Sequence, residues 1–225
     1  MRSWQQLRAD ASGCTRCRLA AGRTQVVFGV GDPDAGLMFV GEAPGYHEDR
    51  QGEPFVGAAG QLLDRLCAEV GLSRRSGVYI ANVLKCRPPG NRDPLPDEIA
   101  SCRPYLHEQL AHVDPAVVVT LGAFATRLLL GDVVGGPPDP SKVPVSKVAG
   151  YRFDLGGRTL IPTFHPAAAL RGSPTAMSAL RRDLRLAAGV LAGRVPSAVE
   201  ALRDARRPAP PQGAAEAGPA QMRLL

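Results

Sequence analysis

Apolar residues recur along this chain in two rhythms. Short continuous runs at 26–30, 37–40, 78–83, 116–121 and 159–163 have the length of strands. Several are apolar at every position, which suits parallel strands covered on both faces. Between and after them the apolar positions change to helical spacing. Trp4, Leu7 and Ala11 share one face of a short N-terminal helix, and Ala59, Leu62, Leu63, Leu66, Cys67 and Val70 share a face of a helix over 57–70. Further helices are expected at about 96–110, 123–130 and 175–191. Strands alternating with helices predict an α/β sandwich around a parallel sheet. Ligands of such sheets collect beyond the carboxyl ends of the strands. The loop after Val40 and the residues after Thr163 lie at such ends.

From about residue 193 the pattern decays. The stretch RRPAPPQGAAEAGPAQMRLL is rich in Pro, Ala and Gly and has no period. It reads as a disordered tail over 194–225 behind a domain over 1–193. The stretch 135–150 is a long loop with two lysines, open to two readings: a contact with a phosphate backbone or a solvated loop. No apolar run is long enough to span a membrane, and the N-terminus lacks the apolar core of a signal peptide. A cytoplasmic protein is expected.

Charge changes this picture only a little. A net charge of +6 on 225 residues suits an anionic partner but is equally common in proteins that bind none. The position of the acids is more informative. The segment LMFVGEAPGYHEDRQGEPFVGAAGQLLDRL runs from strand through a Gly-rich loop to helix, the layout of a phosphate-binding loop. It carries Glu42, Glu48, Asp49 and Glu53 and no lysine, acid where a nucleotide loop puts its lysine.

Cysteine spacing adds a second constellation. Cys14 and Cys17 form a C-x2-C pair, and Cys86 and Cys102 flank a turn-rich stretch. In a reducing compartment these read as ligands or core thiols rather than disulfides. Four thiolates can hold zinc or an iron–sulfur cluster. Zinc ribbons usually carry two close C-x2-C pairs and this chain has one, which tilts toward the cluster; composition alone leaves both open. Cys67 lies on the apolar helix face and reads as a small core residue.

Three blocks in order, GEAPGYHEDRQGEPFVGAAGQLLD, ANVLKCRPPGNRDPLPDEIASCRPYL and PTFHPAAALR, together with the four cysteines, resemble the family 4 uracil-DNA glycosylases. These are the iron–sulfur branch of the uracil-DNA glycosylase superfamily. The resemblance covers roughly residues 5–192. It implies a three-layer α/β/α sandwich with a central, mainly parallel four-stranded sheet. It also implies a [4Fe–4S] cluster on Cys14, Cys17, Cys86 and Cys102, with a structural role, and hydrolysis of the N-glycosidic bond of uracil. The expected partner is uracil-containing DNA, single- or double-stranded, met by a monomer in the bacterial nucleoid.

The same resemblance assigns residues. Glu42 falls at the catalytic position, activating or positioning water. Gly41 and Ala43 flank it in the substrate loop, whose backbone N–H groups suit the oxygens of a departing base. The best-studied branch has an aspartate at the place of Ala43, so the water chemistry can differ here. Glu48 stands where other branches put a tyrosine against the C5 edge of uracil, and would exclude thymine. Phe55 would stack on the flipped base. The loop with Leu170 and Arg171 would enter the minor groove, and one or the other would fill the gap.

Two further residues are argued from their chemistry. Asn82 ends a strand and has one donor and one acceptor on its amide. Uracil offers an N3–H beside O4, so one fixed amide reads both, while cytosine presents the reverse. His165 can donate to uracil O2 as charge develops there. Gly57, Ala58 and Gly60 open a helix with N–H groups that suit a DNA phosphate or, equally, close packing. Asn91 and Arg92 either touch DNA or organise the cysteine loop, and Tyr46 and His47 receive no role. No lysine suggests Schiff-base chemistry, so a monofunctional enzyme is expected. Two other classes remain: a protein that captures uracil-DNA covalently through a loop histidine, which CRPPGNRDP lacks, and a structural protein with a decayed site.

Overall fold

The computed structural model describes residues 1–133, 140–198 and 200. A central sheet carries strands in the order β1-β3-β2-β4-β6-β5. Its core is four parallel strands: β2 (Leu37–Gly41), β3 (Val78–Asn82), β4 (Val117–Leu121) and β6 (Arg158–Thr163). The sheet therefore has six strands, not the four expected. The two extra strands are short antiparallel edges, β1 (Val30–Gly31) on β3 and β5 (Phe153–Leu155) on β6. The apolar run at 26–30 forms a strand only at its last residue, because the rest packs as a loop whose Val27 N–H reaches Lys85 O at 2.8 Å. Two- and three-residue strands leave too little period to read in a sequence.

The continuous apolar runs are explained by two cores. Leu37 and Phe39 of β2 face one way, with Ile80, Val119 and Ile161, against Leu63 and Leu66 of α3 (Ala58–Ala68) and Leu180 and Leu184 of α8 (Pro174–Leu191). Met38 and Val40 face the other way, with Ala81 and Val118. They meet α1 (Trp4–Ser12), α4 (Pro96–Val113) and α5 (Ala123–Leu130) through residues such as Leu7, Leu106 and Leu129. Alternate side chains on each strand thus bury on opposite faces, which makes three layers.

Three short helices were not legible in the periodicity: α2 (Tyr46–Gln51), α6 (Val145–Val148) and α7 (Pro166–Leu170). Helix α2 lies inside the loop read as Gly-rich coil, and α6 inside the loop expected at 135–150, of which residues 135–139 lie outside the described part. Most of the expected tail, from 201 on, also lies outside it. Its beginning packs on the domain, with Ala198 buried and its N–H on Thr159 Oγ1 at 3.0 Å. Among the described residues no helix is long and apolar enough to cross a membrane.

Strand β2 hydrogen-bonds to β3 on one side and β4 on the other. The chain reverses its order there, which opens a crevice at the carboxyl ends of these strands.

Candidate active site and cysteine corner

The crevice is a cleft of about 690 Å³. Four segments wall it: the loop and helix 42–48, the turn at 55–59, the exit of β3 with 88–93, and the start of α7. It brings together Glu42, Ala43, Glu48, Phe55, Gly57, Asn82, His165 and Arg171 from positions spread over 130 residues of chain.

Its floor depends on Gly41. A Cβ there would stand 2.4 Å from Asn82 Oδ1 and 2.6 Å from the Phe55 ring, so glycine lets both side chains approach. Asn82 is 2% exposed, and among the described residues its Oδ1 has no hydrogen-bond partner. A buried acceptor left unpaired costs about 1–3 kcal/mol, and this one lines the cleft, where a ligand can reach it.

Phe55 stands beside Asn82 with φ +56°, a left-handed conformation that bulky residues rarely adopt. Such strain costs on the order of 1–3 kcal/mol and persists only where neighbours enforce it. Here Arg74 donates to Phe55 O at 2.7 Å and to Pro54 O at 3.3 Å, and Asp64 fixes Arg74 at 2.7 Å. Gly60 receives the same carbonyl so closely that a Cβ would sit 1.7 Å from it.

The two helix-opening glycines have different surroundings. Gly60 is buried under Phe55, and the N–H of Gly57 is already bonded to Glu48 Oε1 at 2.9 Å. Close packing explains Gly60, and the part of the helix start that faces the cleft is Ala58 and Ala59.

The acids of the loop divide by task. Asp49 is buried and accepts the Thr24 N–H on both oxygens, at 2.9 and 3.0 Å. Glu48 accepts from Val56 N at 3.0 Å and Gly57 N at 2.9 Å with one oxygen and from Gly45 N at 3.2 Å with the other. It lines the cleft and at the same time braces two loops, so it is not a solvated loop acid. Glu42 has no such partners among the described residues. Burial, and next the charge of Asp93, push its carboxyl up to about 7.

His165 caps α7: its Nδ1 accepts from Ala167 N at 3.2 Å. That bond places the ring proton on Nε2. Burial, and next Arg171, press its pKa down to about 4, while Glu48 opposes them. The ring is therefore a neutral donor near pH 7. It stacks on Phe55 with centroids 5.6 Å apart. Leu170, 47% exposed, and Arg171 follow at the rim.

Asn91 and Arg92 organise the loop after Cys86. Asn91 Oδ1 accepts from Arg87 Nε at 2.7 Å, and Arg92 forks onto buried Glu98 at 2.5 and 2.9 Å. Both also line the cleft. Sequence reasoning missed Arg74, Asp93 and Lys85. Nothing in the local pattern around Arg74 or Asp93 marks them, whereas Lys85, a lysine in the otherwise buried run ANVLKC, carried a readable signal.

On the other side of β3, Cys14, Cys17, Cys86 and Cys102 line one enclosed cavity. All are free thiols. Lys85 N donates to Cys102 Sγ at 3.3 Å, and Arg23 Nη1 approaches Cys86 Sγ at 3.5 Å while bonding Cys14 O at 2.6 Å. Burial, the leading cause, raises the thiols of Cys86 and Cys102. Among the described residues no group of three or more His, Cys, Asp or Glu is arranged to hold a single metal ion. Four soft donors around one cavity, with N–H groups aimed at sulfur, are a donor set that suits a thiolate-held metal centre. Cys67 packs in the opposite core beyond the sheet, its thiol pushed up to about 12 by burial.

Comparison with known proteins agrees with this geometry. Residues 28–185 match the family model described as the uracil DNA glycosylase superfamily. The type-4 uracil-DNA glycosylase of Thermotoga maritima is 48% identical over 159 residues, 70% of this chain and 78% of that protein. Those of Archaeoglobus fulgidus and Sulfurisphaera tokodaii are 44% and 40% identical. They cover 76% and 82% of this chain, and 84% and 83% of their own lengths.

Proposed function

The chain belongs to the uracil-DNA glycosylase superfamily, and from that premise we propose that it is a type-4 uracil-DNA glycosylase. It hydrolyses the N-glycosidic bond of uracil in DNA and leaves an abasic site for repair. The observation that carries the reading to this chain's own residues is the unpartnered, buried Oδ1 of Asn82 in a cleft that also holds a neutral histidine donor.

In this reading uracil leaves the helix stack and enters the cleft against Phe55. Stacking on an aromatic ring contributes roughly 1–3 kcal/mol. Unstacking a base costs a few kcal/mol, and Leu170 and Arg171 at the rim hold the gap open. Asn82 Oδ1 accepts N3–H and its amide N–H reaches O4. Cytosine would meet the same amide with like groups facing each other, so it is refused. The Glu48 brace fixes the loop beside the base and narrows the space that a C5 methyl would need.

As the C1′–N1 bond breaks, its electrons pass into the pyrimidine ring and O2 becomes negative. The His165 Nε2–H stabilises that oxygen, a form of transition-state stabilisation that such donors typically provide. Glu42 holds the water that bonds to C1′ and takes up its proton in the ionised state. Among the described residues no lysine lines the cleft, which supports hydrolysis without a covalent amine intermediate. The four cysteines of the corner hold a [4Fe–4S] cluster, which supplies a covalent tie among α1, α4 and the exit of β3. No second copy of the chain is called on.

Multiple-turnover excision on an oligonucleotide with one uracil, beside a thymine control, tests the reading on anaerobically purified protein. Many equivalents of abasic product from uracil and none from thymine are expected. A single equivalent, retained as a protein–DNA adduct, would replace the enzyme by a capture protein.

A further inference from the structure

Lys85 is 2% exposed. Lysine is almost never fully buried unless an anion pairs with it. None of the ion pairs among the described residues includes it. Instead Nζ donates to the backbone carbonyl of Asn82 at 2.7 Å and to Gln109 Oε1 at 2.6 Å. Its own backbone N–H meanwhile donates to Cys102 Sγ at 3.3 Å, and its chain neighbour is Cys86.

The side chain therefore turns back from the cysteine corner to the peptide unit that joins Asn82 and Val83. That unit is held from two directions. The Val83 N–H donates to Gly41 O at 2.9 Å, and the Asn82 carbonyl receives Lys85. Next along the chain, Leu84 N donates to Glu42 O at 3.0 Å. Gln109 is fixed in turn, since its Nε2 donates to Phe28 O at 2.8 Å and Tyr79 OH at 3.2 Å. By contrast, no hydrogen bond from the described residues holds the Asn82 amide oxygen itself. Its direction is inherited from its backbone and from the packing of Gly41 and Phe55.

We propose that Lys85 is a positioning residue: it locks the Asn82 peptide and so aims the base-reading amide, and it transmits the geometry of the cysteine corner to the cleft. The proposal rests on the reading of Asn82 given above.

Single-turnover excision at saturating enzyme, DNA affinity by anisotropy and visible absorbance per protein test it in K85M, N82A and K85M/N82A. K85M is expected to slow excision roughly 10- to 100-fold, the scale of a small misplacement of a reacting group, with DNA affinity unchanged. In the N82A background the same substitution is expected to cost little further, because coupled residues are not additive. Equal cost in both backgrounds, or a wild-type rate in K85M, overturns the proposal. If K85M loses its visible absorbance or its fold, Q109M makes the test: it keeps Lys85 and the cysteines and frees Nζ from one anchor. A smaller loss in the same direction, absorbed in the N82A background, supports the proposal, and a wild-type rate overturns it. An N82A enzyme as fast as wild type would instead overturn the underlying reading of the cleft.

Discussion

The exit of β3 feeds two very different regions within five residues. Asn82 faces the cleft, and Cys86 faces the cysteine corner. In the cleft, polar groups are left in costly states: an amide oxygen without a partner, a carboxyl shifted to about 7, and a phenylalanine in a left-handed conformation. In the corner, donors already point at sulfur and guanidinium bonds tie the loops. Groups held ready for a transient ligand must tolerate an imperfect resting state. Groups that hold a permanent one need not. On the function proposed above, the difference separates a region built for chemistry from one built for stability, even though the two share a strand end.

Four measurements can break or sharpen that contrast. The largest effect is expected in the cleft. His165→Ala and Asn82→Ala should each lower single-turnover excision by on the order of 10²–10³-fold, as removal of a transition-state hydrogen bond does. Melting temperature and DNA affinity should change little. If either variant unfolds, the cleft residue is structural and the contrast fails.

Next comes the corner, where the order should reverse. Cys86→Ala should lose visible absorbance and melt roughly 10 °C or more lower, since ligand binding of this kind contributes to folding itself. Its excision rate below the new melting temperature should fall less than that of the cleft variants. A colourless Cys86→Ala protein with wild-type melting would remove the structural role of the corner.

A smaller effect is expected from pH. Glu42 must be ionised to take the water proton, so single-turnover excision should rise with pH up to about 7 and level off above it. Glu42→Gln should be slow and lose that inflection. His165, with its pKa near 4, should add no inflection between pH 5 and 8. Because burial raises Glu42 above the ordinary carboxylate range, its ionisation costs stability as pH rises toward 7. Glu42→Gln should therefore be at least as stable as wild type at pH 8. A pH profile that Glu42→Gln leaves unchanged would remove Glu42 from water activation.

The smallest effect is expected at the rim. Leu170 is 47% exposed, so Leu170→Ala should leave melting unchanged. It should slow excision from double-stranded DNA a few-fold, with little effect on single strands, which need no gap filled. Equal slowing on both substrates would place Leu170 in the pocket rather than in the duplex.

Much of this architecture was legible before any coordinates. Continuous apolar runs gave the four parallel strands, because strands buried on both faces need no polar alternation. The acid loop, Asn82, His165 and the cysteine frame stand out through residue type and order. Other features were hidden for a physical reason. Edge strands β1 and β5 are too short to show a period, and α2 and α7 are one turn or little more. Glu48 looked like a specificity residue alone. Its bonds to Gly45, Val56 and Gly57 show that it also braces the loops.

By itself, the sequence determined which chemical groups this protein has and the order of the elements that carry them, since periodicity and motif spacing are local properties of the chain. Tertiary structure alone decided what each group meets. Arg74 reaches back 19 residues to hold Phe55, and Gln109 reaches 24 residues to Lys85. Glu42 is shifted because burial and Asp93 act on it together. Burial, an unpaired acceptor and a neighbouring charge are properties of the packed arrangement, and no spacing along the chain encodes them.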